Sequence, residues 1–126
     1  MKKERVYNKL VRDRVPEILE RQGMTALTRK LDDKEFMHAL HEKLKEEMRE
    51  YMACRNMEEL ADVVEVINAI LLARGLSMEE LDRIRKMKAQ TNGAYHDRVF
   101  LERVLSEEEV QKFQEALSQD PRFLTR

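Results

Sequence analysis

The apolar positions of this chain recur with the period of amphipathic helices, and three helix starts carry the same local signature. Asp32 with Glu35, Ser77 with Glu80 and Ser106 with Glu109 each form a capping box. In that device the first side chain accepts a hydrogen bond from the backbone N–H three residues on, and the acidic side chain reaches back. Leu31 and Phe36, Leu76 and Leu81, and Leu105 and Val110 supply the matching hydrophobic staples. These signals predict helices over residues 33–54, 78–90 and 107–118, the last ending before Pro121. A further helix, 57–74, lies between the first two and ends at Gly75. The short Arg55–Asn56 turn at its start requires an antiparallel hairpin with 33–54. Pro16 suits the first turn of a short helix that ends near Gly23, and residues 24–31 read as extended or loop. The expected fold is all-α: one domain holding an antiparallel bundle of four to five helices, with residues 106–126 as a helical extension.

Acidic residues break the apolar pattern in residues 42–65. At about 100° per residue, Glu47 falls inside the arc formed by Phe36, Leu40, Leu44 and Tyr51, and Glu50 lies at its margin near Cys54. On the next helix Glu59 and Asp62 straddle Val66, with Ala69, Ile70 and Ala73 close by. Each pair is spaced i, i+3, so both members project from one side. Solvated charges belong on the opposite face. A carboxylate on a core-facing stripe costs several kcal/mol unless cations or hydrogen bonds compensate it. Any one of these residues alone would pass as an ordinary charge in a charge-rich helix pair. Four carboxylates aimed at one interior cannot compensate one another, and an oxygen-only donor set suits Mg²⁺ or Mn²⁺.

Composition narrows the class. The chain has 126 residues, 39% of them charged and 42% hydrophobic, with 3 Gly, 2 Pro and no Trp, a mixture that fits a soluble helical domain rather than a β-sandwich. A net charge of −1 gives no global field toward nucleic acid or membrane. The charge is unevenly placed, however. Residues 1–14 hold six Lys/Arg and two acids, and residues 42–65 hold eight acids and four bases. A basic arm beside an acidic pocket suits a metal-bound polyanion. Cys54 is the single cysteine, which excludes a disulfide framework and reads as a small core residue. The N-terminal MKKERVYNK has no apolar stretch of the secretory kind, no run is long enough to span a bilayer, and the expected location is cytoplasmic.

Other candidates are weaker. His38 and His41 read as surface residues, His96 as a loop residue, and the methionines as core and gap fillers. Glu46 and Glu65 flank the two pairs as outer ligands, bases or plain surface charges. In residues 85–98, Lys86, Lys88, Asn92, Gly93, Tyr95 and Arg98 offer cations, an amide and an aromatic face to a base and phosphates. Cations near a helix C-terminus are also favourable without any ligand. Eleven of the fourteen residues from 60 to 73 are apolar and wrap most of the helix, which predicts a second subunit across it, as a homodimer or homotetramer.

The strings KEEMREY and EELADVVEVI resemble the ExxE…ExxD signature of the all-α NTP pyrophosphatase superfamily, which includes MazG-like enzymes and phosphoribosyl-ATP pyrophosphohydrolases. YNKLVRDRVPEIL looks like the opening of a phosphoribosyl-ATP pyrophosphohydrolase-like, house-cleaning branch, and NGAYHDRVFL is similar to its glycine–aromatic–xx–Arg close. The likeness covers roughly residues 7–101. It implies Mg²⁺ held by Glu47, Glu50, Glu59 and Asp62, phosphate contacts from Lys9, Arg12, Lys88 and Arg98, and hydrolysis of a nucleoside triphosphate to a monophosphate and pyrophosphate. Two departures bear on the substrate. Only eight residues separate Glu50 from Glu59, which shortens the loop that often shapes the base pocket, and Ala94 stands where MazG-like relatives often place a Lys. The rival expectation is a non-catalytic helical adaptor that keeps the fold.

Overall fold

The computed structural model describes residues 5–120 and 122. Among them are five α-helices and no strand, as expected for an all-α chain: α1 (Val15–Arg21), α2 (Asp33–Cys54), α3 (Met57–Ala73), α4 (Met78–Asn92) and α5 (Glu107–Ser118). Pro121 and residues 1–4 of the basic arm lie outside the described residues. Two compact units are present, one running to Met87 and the other beginning at Lys88.

Local chemistry explains the element boundaries. The Asp32 side chain accepts from Glu35 N at 2.8 Å while the Glu35 side chain accepts from Asp32 N at 3.3 Å, closing the capping box that starts α2. Ser106 and Glu109 do the same for α5. At α4 the Ser77 hydroxyl accepts from Glu80 N at 3.2 Å. The start of α3 has a cap that the sequence pattern did not single out: the Asn56 side chain accepts from Glu59 N at 2.9 Å. Such a cap contributes about 1 kcal/mol. Arg55, which ends α2, adopts the left-handed conformation (φ 58) and lets the chain turn within two residues. Gly75 (φ 73) makes the corresponding turn after α3, where a side chain would be strained. α4 extends two residues beyond the expected 90, and α1 begins one residue before Pro16.

Within the first unit, α2 and α3 pack against each other. Leu40, Val66 and Leu71 are the buried residues among those described, so the core is small. Two expectations are corrected here. Cys54 is exposed rather than a core residue, because it occupies the last position of α2 and no element covers it. Six of the methionines are not core fillers either: Met24, Met48, Met52, Met57, Met78 and Met87 are exposed, while Met37 is half-buried. Among the described residues, no helix is long and apolar enough to cross a membrane.

Candidate metal centre

The i, i+3 spacing does what helix geometry requires: it turns Glu47 and Glu50 of α2 toward Glu59 and Asp62 of α3. Carboxylate oxygens of Glu47, Glu59 and Asp62 lie within 4.8 Å of one another, and all three residues are half-buried. Glu59 also belongs to a second group with Glu50 and the Cys54 thiol, within the same 4.8 Å limit. Glu59 is therefore the shared member, and its backbone is fixed by the Asn56 cap. The apolar periodicity predicts a core-facing stripe for these carboxylates. None is buried, and Glu50 is exposed, because they cluster at the rim of the small core and not within it.

Neighbouring cations treat the acids unequally. Arg12 Nη2 donates to Asp62 Oδ1 at 2.7 Å, and Lys43 Nζ stands 3.6 Å from Glu47 Oε1. Glu46 is held from two sides, by Lys9 Nζ at 2.7 Å and Lys43 Nζ at 3.1 Å. The hydrogen bond from Lys9 outweighs partial burial and keeps the Glu46 carboxyl below its ordinary range. Glu46 is thus a half-buried carboxylate with two cations of its own, and it belongs to neither carboxylate group. Among the described residues, Glu50 and Glu59 have no ion-pair partner. The Glu59 carboxyl is pushed above its ordinary range by burial, and then by the charges of Asp62, Glu50, Glu47 and Glu58.

The donor set is the test of fit. Three carboxylates whose oxygens converge to this degree supply the hard oxygen ligands that Mg²⁺ or Mn²⁺ takes, and one of them lacks any positive partner. A sulfur at the margin adds a softer donor, which Mn²⁺ tolerates better than Mg²⁺. Cys54 lies one helical turn after Glu50, so the i, i+4 spacing held the signal for it. No comparable signal existed for Arg12, which reaches Asp62 across 50 positions of sequence.

The remaining candidates divide between the two units. Lys9 and Arg12 stand in the first, on Glu46 and Asp62. Lys88, Asn92, Tyr95 and Arg98 belong to the second, where all four are exposed. There Gly93 (φ 84) turns the chain out of α4, and Arg98 N donates to Tyr95 O at 3.3 Å, so the aromatic and the guanidine share one turn. His38, His41 and His96 are exposed and belong to neither carboxylate group. The chain matches no protein-family model, no curated protein and no solved structure.

Proposed function

We propose that the protein is a Mg²⁺-dependent nucleotide pyrophosphohydrolase of the all-α, MazG-like kind, with Mn²⁺ as an alternative ion, converting a nucleoside triphosphate with a non-canonical base, or a related nucleotide, to its monophosphate and pyrophosphate. The observation that carries this reading is the convergence of Glu47, Glu59 and Asp62, with Glu50 joining through Glu59, from two successive helices. Bound among these oxygens, the ion would supply Lewis-acid charge to a polyphosphate. The protein's own residues do the rest. Glu59 and its neighbours would hold the ion with their negative charge, and the Asn56 side chain fixes the Glu59 backbone in the first turn of α3. Lys9 and Arg12, exposed and paired with Glu46 and Asp62, would meet phosphate oxygens and stabilise charge gathering on a leaving pyrophosphate.

A homodimer or homotetramer belongs to the same proposal. Met57, Leu60, Val64 and Leu72 of α3 are exposed, and a second subunit would cover these apolar side chains. Light scattering is expected to show a mass above the 15.1 kDa of one chain.

The deciding experiment is a screen of ordinary and modified nucleoside triphosphates with Mg²⁺, reading both monophosphate and pyrophosphate. Release of the two products in equal amounts supports the proposal. No turnover of any nucleotide favours the adaptor reading instead.

A further inference from the structure

The segment before α1 is stitched to both carboxylate-bearing helices. Lys9 donates to Glu46 of α2 at 2.7 Å, and Arg12 donates to Asp62 of α3 at 2.7 Å. Between them Leu10 and Val11 are half-buried, and Val15 N donates to Arg12 O at 3.0 Å, which fixes the backbone at Arg12 as α1 begins. Arg12 is thus held over the cluster by contacts on both sides of it in sequence.

A guanidinium on Asp62 supplies one positive charge to one member of a group of three carboxylates, and Glu59 stays unpaired. A divalent ion at the centre of the same group would supply two charges shared by all three. The two cations compete, because each weakens the pull of Asp62 on the other. The pair is also easily opened: the Arg12 side chain is 58% exposed and that of Asp62 37% exposed, so the guanidinium moves into water at small cost. We propose that Arg12 is the resident counter-ion of this cluster, occupying Asp62 in the metal-free protein and giving it up when a divalent cation binds. The inference rests on the metal-centre reading above and adds an exchange to it. Loading the ion releases a guanidinium beside the site, where an incoming phosphate would meet it, so metal and anion binding favour each other.

Calorimetric titration of Mn²⁺ into the metal-free full chain tests this, comparing wild type with Arg12→Gln, Arg12→Ala and Arg14→Gln. Arg14 is exposed and has no ion pair among the described residues, so its variant controls for the loss of one charge nearby. Removing the Arg12 guanidinium is expected to tighten the Mn²⁺ Kd about two- to fivefold, the span of an exposed ion pair, with Arg14→Gln unchanged. The metal-free Arg12 variants should also melt lower than wild type and gain more from Mn²⁺, a combination that a purely structural role does not produce. Unchanged or weaker Mn²⁺ binding in both Arg12 variants overturns the exchange while leaving the metal centre standing. Equal tightening in Arg14→Gln overturns it too, by assigning the effect to general charge. Wild type that binds no Mn²⁺ removes the metal centre itself, and the exchange with it.

Discussion

Glu46 and Glu59 are both half-buried carboxylates on helices that pack together, yet their surroundings are opposite. Glu46 sits between Lys9 and Lys43, and its carboxyl is held below the ordinary range. Glu59 faces Asp62, Glu50 and Glu47 with no cation of its own, and its carboxyl is pushed up. The first arrangement is what a folded chain does with a charge it must satisfy internally. The second leaves a charge deficit that a ligand would fill. Acidity alone does not separate a structural carboxylate from a ligating one; on the metal-centre proposal the missing partner is what distinguishes Glu59 from Glu46.

Activity should separate the two most widely. Glu59→Gln is expected to lower kcat by on the order of 10²–10³-fold for whichever nucleotide is turned over, as loss of one preorganised charge commonly does. Glu46→Gln should stay within a few-fold of wild type, since Lys9 and Lys43 remain near the cluster. Equal losses in both variants would erase the distinction.

A smaller effect comes from the cap that positions Glu59. Asn56→Ala removes the acceptor for Glu59 N and should cost about 1 kcal/mol in urea unfolding. A cost confined to stability, with metal binding unchanged, would show that the cap holds the helix without helping the site.

The pH dependence of metal-free stability has opposite signs at the two residues. The folded-state pKa of Glu59 lies above the ordinary 4.5, so its cost is absent below that value and fully present once pH exceeds the raised pKa. Stability should therefore rise as pH falls through that window. Glu46 has a lowered folded-state pKa, so its contribution is present above 4.5 and lost as pH falls through the depressed value. Melting curves from neutral to acid pH should show a shallow gain followed by a loss. Glu59→Gln should erase the gain, and Glu46→Gln should reduce the later loss.

Much of this was legible in the sequence because it is local. Capping boxes at Asp32 and Ser106 operate over three residues, and the i, i+3 acid pairs share a face by helix geometry alone. What the pattern missed depends on distant packing. The apolar arc around Glu47 implied burial, but burial depends on what covers the arc, and the small core leaves Glu50 and Cys54 exposed. The expectation that all four carboxylates lack compensation also gives way at Glu47, beside Lys43 at 3.6 Å, and at Asp62, which Arg12 neutralises from 50 positions earlier. That pairing moves the test of mutual repulsion from Asp62 to Glu59. Removing the Asp62 charge also breaks its ion pair with Arg12, whereas removing that of Glu59 breaks none among the described residues.

The melting temperature of wild type and Glu59→Gln, each with EDTA or with Mg²⁺, tests most directly whether these carboxylates form a divalent-metal centre. Wild type should be stabilised by Mg²⁺, by about 2.7 kcal/mol at a hundredfold excess over the dissociation constant. In EDTA, Glu59→Gln should melt at least as high as wild type, because one uncompensated like charge has gone, and most of its response to Mg²⁺ should be lost. A wild type indifferent to Mg²⁺, with a Glu59→Gln variant that melts lower in both buffers, would contradict the metal-centre account.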